Sequence, residues 1–538
     1  MGYEEVFQSA LQRARKEIIE IDVDTINNLG LQIDFGMEES IDILQELRGL
    51  DKQHSDFLGS HTVVTYPPLD ALTHLDDTMG KQIIEKEKLE GEIGLYVHIP
   101  FCDYRCTFCA YTTLNIHGVD KELLPPYIAA LKKEALTWRE RIAPDAKIHS
   151  LYIGGGTPTV LDTETLDDLI RFLRDELPFI ESPRICVETS PKATLQESTE
   201  EQIQMLLDRG VTRSSIGIQT FDPAGLLCTG RGYKGHNVDD EEKAVRILLD
   251  KFGNLNVDMM EDLPITGNID YYERLAKDLL KIAELKPHHV TWYNMRLRPE
   301  RKVKGVIPSE KDSLTARLAI WNFMEDIGYI TYEGDRFFLA ECFEDEFRKT
   351  RGSMRTNLLG LGVSAYSHTK DLFFQNPRRI GGTLRDDSLD TTRKYIKKVE
   401  EKGFATEWGF IMSADEILAG EFALGFKRGV DLKYLFGESL CGGYHMFPGA
   451  GVYIEYTNPF VKPLIENGLV EVKDNIVQLT RKGRLWENEI CRLYYTPRVI
   501  ALAMQRRGNL TPLLDQFARS YEHFYAMETN HTTAIYRF

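Results

Sequence analysis

A chain of 538 residues is too long for one simple core and points to a large catalytic domain with appendages. Hydrophobic residues make up 42% and charged residues 28%, a balance typical of globular proteins, and the formal net charge is −18. That charge argues against general binding to nucleic acid or to an anionic membrane. No apolar run reaches the roughly 18 residues that a membrane span needs. Residues 1–20 lack the apolar centre of a signal peptide, so the expected location is the cytoplasm.

In chain order, residues 1–90 read as a charged, mostly helical extension with periodic stretches at 4–21 and 41–50. It closes near Pro67 and Pro68, which force an extended path. From residue 91 short β-branched runs alternate with longer amphipathic stretches. The runs are 95–99, 150–153, 184–188, 214–218, 255–259 and 290–293. The stretches 120–141, 163–175, 196–209, 239–252 and 270–285 read as the intervening helices. Strand then helix, about six times over, predicts an α/β fold built of parallel βα units. Periodicity alone fits an open sheet or a barrel. In barrels the site gathers at the C-terminal strand ends, and the motifs below fall there.

Beyond about residue 385 the pattern changes. Ser413 is a plausible N-cap for a helix over 413–427, and a second helix over 461–467 stops at Gly468. Runs 469–472 and 476–479 flank Asp474 and Asn475 as a hairpin, and a helix follows at 481–492. This order predicts an α+β, winged-helix-like module over 386–496, and 497–538 reads as a polar helical tail. A winged helix often binds DNA, a use that the acidic chain disfavours.

Eight cysteines in a chain this long do not make a disulfide scaffold. Cys186, Cys228, Cys342, Cys441 and Cys491 are scattered, whereas Cys102, Cys106 and Cys109 fall within eight residues. Spacings of four and three after a strand let one loop wrap a compact inorganic core. Thiolates are the soft ligands of iron–sulfur clusters. Three cysteines leave one iron of a cubane without a protein ligand. The competing reading is structural zinc, which takes four closed ligands; no second cysteine pair exists, and His98, four residues before Cys102, is a poor fourth.

Residues 95–111 resemble the core motif of radical S-adenosylmethionine enzymes. The phrase from Tyr96 through His98, Ile99, Pro100 and Phe101 to Cys102 narrows the resemblance to the branch containing oxygen-independent coproporphyrinogen oxidase and its relatives. It extends from about Tyr66 to Tyr494 and implies a partial (β/α)6 TIM-like barrel over 91–385 whose C-terminal module covers the site. It implies a [4Fe–4S] cluster on Cys102, Cys106 and Cys109, and S-adenosylmethionine, in one or two molecules, on the open iron. Reductive cleavage then gives methionine and a 5′-deoxyadenosyl radical.

The resemblance carries over further positions. Tyr96 touches the bound cofactor and joins the three cysteines as a catalytic residue, and Phe108 is a further cofactor contact. Gly155, Gly156 and Thr157, in the segment from Gly154 to Thr159, contact the methionine part of the cofactor. Glycines here are expected to let a ligand approach and to expose N–H groups. Glu188 faces the cofactor's amino group, and Gln219 and Asp258 fall near its ribose and adenosine. Arg231 also reaches the cofactor, and Tyr293 and Asn294 end the sixth strand beside it. Residues 359–367 resemble a segment lining the cavity, although their glycines fit a close turn equally.

Three departures stand out. Ala110 and Tyr111 follow the triad where the oxidases have a further cysteine, and Asp262 precedes Leu263 and Pro264 where relatives commonly have glycine. Arg296 also replaces a small residue. These departures shift the expectation toward a methyltransferase-type member of the branch. Such an enzyme moves a methyl or methylene group from a second S-adenosylmethionine to an sp2 carbon, giving methylation or cyclopropanation. The alternatives are oxygen-independent coproporphyrinogen III oxidation or other anaerobic porphyrin processing, with Arg296 and Arg298 able to hold acid groups, and a non-enzymatic haem-binding relative. The expected partners are a small-molecule substrate and an electron donor such as flavodoxin or ferredoxin, with neither nucleic acid nor membrane, for a monomeric protein.

Overall fold

The computed structural model describes residues 2–21, 65–75, 87–266, 270–295, 305–331, 333–340, 356–369, 371–379, 384–431, 464–474, 476–492, 494–496 and a few isolated positions. The expected helix at 41–50, the start of that at 461–467, Arg296, Arg298 and nearly all of 497–538 lie outside them.

Six parallel strands form the centre: β1 (Glu92–Ile99), β2 (Lys147–Gly155), β3 (Phe179–Thr189), β4 (Arg213–Gln219), β5 (Leu255–Glu261) and β6 (His289–Asn294). Each contains its predicted run and extends it by a few residues. On β1, Leu95, Val97 and Ile99 are fully buried and join a core with Leu131, Ala135 and Trp138 of the first crossover helix. Tyr96 and His98 alternate onto the other face, as the period of two requires.

The connecting helices follow the same logic. Residues Thr163–Glu176 start at Asp162, whose side chain accepts from Thr165 N at 2.8 Å. Leu166, Leu169, Ile170 and Leu173 then form one buried stripe. The N-terminal helix, Tyr3–Ile19, buries Phe7, Ala10 and Ala14 and sets Phe7 edge-on to Phe323 of helix Glu310–Asp326.

The sheet continues past the six strands on both edges. β6 pairs antiparallel with β8 (Arg336–Leu339), which pairs with β7 (Tyr329–Thr331). On the other edge β9 (Asn357–Leu361) lies parallel to β1 as a seventh parallel strand. It leads into the antiparallel β10 (Tyr366–His368), β11 (Leu372–Gln375) and β12 (Trp408–Ile411), with Thr73–His74 outermost. The expectation that glycines in 359–367 mark a turn is half right. Gly360 is inside β9, where an added Cβ would strike the Tyr366 backbone, and only Gly362, at φ 102°, turns the chain. Among the described residues 13 strands form one open series, so the barrel is partial.

In the C-terminal module Ser413 caps the helix Ala414–Gly425, and Glu416 completes a capping box. The expected hairpin is present as β14 (Val470–Lys473) and β15 (Ile476–Leu479), with β13 (Val430–Asp431) as a third strand. The helix expected over 481–492 is instead two short ones, Arg481–Arg484 and Glu487–Arg492. The module is seated on the β7–β8 edge by charge: Arg428 donates to Glu333 at 3.1 Å, and Gly334 N donates to Glu487 at 3.0 Å.

Candidate active site

β1 runs directly into the short strand Phe101–Cys102, held in parallel against Leu114–Asn115. The triad loop lies between them. Thr107 anchors it, donating from N to Thr229 O at 3.1 Å and from Oγ1 to Cys228 O at 2.9 Å. Arg105 donates to Cys109 O and Tyr111 O, closing the loop's far end. The three thiols are outside any disulfide and half-buried, and Cys102 accepts from Thr157 Oγ1 at 3.6 Å. Burial, with Cys109 and Cys106 close by, raises the Cys102 pKa well above that of an ordinary thiol. Such a group becomes a thiolate when a cationic centre stabilises it.

This donor set fits a cluster better than a single ion. Among the described residues no three ligating side chains converge as they would around one metal ion. A cubane needs no such convergence, since each cysteine binds a separate iron. His98 is withdrawn as a fourth zinc ligand because both ring nitrogens are engaged. Nε2 lies 3.2 Å from Thr112 O and Nδ1 lies 2.9 Å from Tyr96 Oη. Burial lowers the His98 pKa to about 4, so the ring is neutral near pH 7. A carbonyl cannot donate, so Nε2 carries the proton and Nδ1 accepts from Tyr96. His98 thereby fixes the orientation of the Tyr96 hydroxyl, a role the sequence reading missed.

The glycine segment differs from expectation. Its amides are not exposed to a ligand. Gly155 N donates to Glu188 Oε2 at 2.9 Å, Gly156 N to Ile99 O at 2.8 Å and Thr157 N to Phe101 O at 2.8 Å. The glycines are needed for packing inside the protein. A Cβ on Gly156 would lie 2.6 Å from both Ile99 O and Phe101 O, backbone atoms with nowhere to go. Any cofactor contact by this segment therefore uses groups other than these three amides. Gly156→Ala is expected to cost about 1–3 kcal/mol and to lower iron incorporation, read by thermal denaturation and by iron content after reconstitution.

Glu188, near the end of β3, is enclosed on the barrel face. It accepts from Tyr152 Oη at 2.6 Å as well as from Gly155 N. Burial raises its pKa to about 7, and these hydrogen bonds only partly oppose the rise. A carboxylate has about four acceptor positions, so two remain for a cation. Tyr152, which stacks on Tyr96 with ring centroids 6.2 Å apart, was also missed. Its alternation with Leu151 and Ile153 places it on the Tyr96 face. Deeper in the barrel, Asp258 accepts from Asn256 Nδ2 at 2.8 Å and Ser215 Oγ at 3.3 Å, and burial raises its pKa too.

Gln219 ends β4 at a register shift with φ 74°, a strained value for a side chain, and its buried Oε1 has no hydrogen-bond partner. Arg231 donates to Gly217 O at 2.5 Å and Ile218 O at 2.9 Å, which holds this bulge in place. Phe108 packs from the triad loop onto Met260, Leu263 and Met295 at the ends of β5 and β6. Tyr293 is half-buried at the same rim. Asn294 is a strut more than an open contact. Its Nδ2 donates to Asp262 at 3.0 Å and its Oδ1 accepts from Arg317 at 2.5 Å. Asp262 itself has φ 61°, the region where a glycine is unstrained, and also accepts from Tyr271 Oη at 2.8 Å.

The family model of the Radical SAM superfamily matches residues 96–264, the span that carries the triad, the glycine segment and Glu188. Similarity to that superfamily over this span implies its cofactors, a [4Fe–4S] cluster and S-adenosylmethionine. Within it, the similarity is to the coproporphyrinogen III oxidase and HemW group. The chain is 26% identical over 439 residues to the oxygen-independent coproporphyrinogen III oxidase of Escherichia coli, covering 76% of this chain and 86% of that one. It is 27% identical over 409 residues to the heme chaperone HemW of Bacillus subtilis, covering 73% and 97%. The solved structure of the Escherichia coli enzyme shares the fold, with a TM-score of 0.64 at 24% identity over 82% of this chain and 97% of that one. These relatives give no support to the methyltransferase expectation. Among the described residues no helix is long and apolar enough to cross a membrane.

Proposed function

We propose that this radical SAM enzyme is an oxidoreductase of the coproporphyrinogen oxidase type, taking a hydrogen atom from an acid-bearing tetrapyrrole substrate. One observation carries this reading: similarity to an oxygen-independent coproporphyrinogen III oxidase spans most of both chains, while Tyr96 with His98 and Tyr152 with Glu188 line one face of the sheet. A [4Fe–4S] cluster held by Cys102, Cys106 and Cys109 would supply one electron for the reductive cleavage of S-adenosylmethionine. The chain's own residues then have three tasks. Glu188 holds the cofactor's ammonium group, Tyr96 presents a hydroxyl oriented by His98, and Phe108 with its apolar partners excludes water at the β5–β6 rim.

Methyl or methylene transfer remains a second reading, because Ala110 stands where the oxidases have a cysteine. Anaerobic turnover with S-adenosylmethionine carrying a deuterated methyl group separates the two. The oxidase reading expects undeuterated 5′-deoxyadenosine, release of carbon dioxide and no S-adenosylhomocysteine. Deuterium in the 5′-deoxyadenosine together with S-adenosylhomocysteine would establish transfer instead. Haem binding without any cleavage would place the chain with the heme chaperone. The electron donor, expected to be a flavodoxin or ferredoxin, is tested by substituting each for the chemical reductant.

A further inference from the structure

Helix Val238–Lys251 begins at Asn237, whose side chain accepts from Asp240 N. Its buried stripe is Ala244, Val245 and Leu248, and by the same spacing Glu241 belongs to that stripe. Glu241 is 0% exposed. A carboxylate on the apolar face of a helix is costly unless paired. Here it has two partners. His236 Nδ1 lies 2.7 Å from one oxygen, and Arg231 lies 3.7 Å from the other. Arg231 is itself buried; its guanidinium donates to Gly217 O and Ile218 O at the end of β4, and it lies close enough to interact with the Cys106 side chain. Tyr104, inside the triad loop, sets its ring edge-on to His236 at 5.1 Å. A fixed, buried cation is thus built against one cluster ligand, with a buried seat made of Glu241 and His236.

We infer that Arg231, seated by Glu241 and His236, is a positioning residue that donates to the Cys106 sulfur and raises the reduction potential of the cluster. The reasoning is electrostatic. Reduction adds one negative charge to the cluster, and part of that charge resides on the cysteine sulfurs. A charge-assisted hydrogen bond to sulfur stabilises the reduced form more than the oxidised one. The site is screened from water, so the effect is stronger than at a surface. A role confined to contact with S-adenosylmethionine requires neither the bond to Cys106 nor the buried counter-charge behind it. The inference rests on the assignment of the cluster to Cys102, Cys106 and Cys109.

The test uses the full chain, reconstituted anaerobically without S-adenosylmethionine, and an EPR-monitored redox titration. Wild type that takes up no iron would defeat the cluster assignment itself, a result distinct from those below. With the cluster loaded, Arg231→Gln is expected to lower the midpoint potential by about tenfold in the reduced-to-oxidised ratio, ~59 mV for a one-electron couple. Arg231→Lys, which keeps the charge but not the fork, is expected to restore part of the shift. If neither variant holds a cluster, Glu241→Gln keeps the guanidinium and removes its counter-charge, and the potential is then expected to rise. Loaded Arg231→Gln at the wild-type potential would overturn the inference, as would an unshifted Glu241→Gln where only that variant loads. A purely structural role would change loading or thermal stability and leave the potential where it was.

Discussion

Cys106→Ala is expected to abolish both the brown iron–sulfur absorbance and all cleavage of S-adenosylmethionine, leaving the fold in place. Cys106 lies midway in a loop tied at both ends. The Phe101–Cys102 strand holds one end, and Arg105 clamps the other through Cys109 O and Tyr111 O. Losing its Sγ removes one of three thiolates, and no cysteine at position 110 can substitute. The alanine variant should keep the wild-type far-ultraviolet circular dichroism, since the side chain is only half-buried. Iron content, absorbance and liberated 5′-deoxyadenosine are the readouts. Retained cleavage would remove the basis of the functional reading.

The second large effect concerns Glu188. Its carboxyl pKa, raised by burial to about 7, keeps the group protonated in mildly acidic solution. A protonated acid cannot pair with the cofactor's ammonium group. Affinity for S-adenosylmethionine is therefore expected to fall by nearly tenfold per unit as the pH drops below about 7, and to level off above it. The same shift acts on stability in the opposite sense. The folded state keeps this proton after the unfolded chain has lost it, so burying Glu188 costs stability as the pH rises from 4.5 to about 7. Cofactor binding above pH 7 offsets that cost. Glu188→Gln is expected to weaken binding at pH 8 by roughly 10–100-fold, in keeping with the loss of a hydrogen bond to a charged group. It should also flatten the pH dependence, and the two proteins should converge near pH 5. Equilibrium dialysis of the cluster-loaded proteins across this range checks all three. A steep profile retained in the variant would assign the titration to another group.

The six central strands and the helices between them could be read from the sequence because each unit is local: an apolar run, an amphipathic helix and a turn within about 40 residues. β9 could not. Its pairing with β1 joins Asn357 to Ile93 across more than half the central domain, and Gly360 within it and Gly362 just past it hide the strand signal. The site divides in the same way. Cysteine spacing, the glycine segment and strand-end acids are visible in one dimension. Partnerships across strands are not, so Tyr152 beside Glu188 and His98 behind Tyr96 came to light only in the fold. Glu241 left a trace, a charged residue in phase with Ala244, Val245 and Leu248, but its reason lies ten residues upstream at Arg231. The glycines were read for their freedom, and their neighbours proved to matter more.

The amides of Gly156 and Thr157 bond to the carbonyls of Ile99 and Phe101, on either side of the point where β1 becomes the triad loop. The foot of that loop is thus clamped by backbone hydrogen bonds from the end of the neighbouring strand. In many small metalloproteins the ion organises a chain that is otherwise unfolded. Here the scaffold precedes its cargo. Iron delivery to this protein should be a loading event on a finished framework, and a chelator should bleach the cluster while leaving the melting of the sheet nearly unchanged.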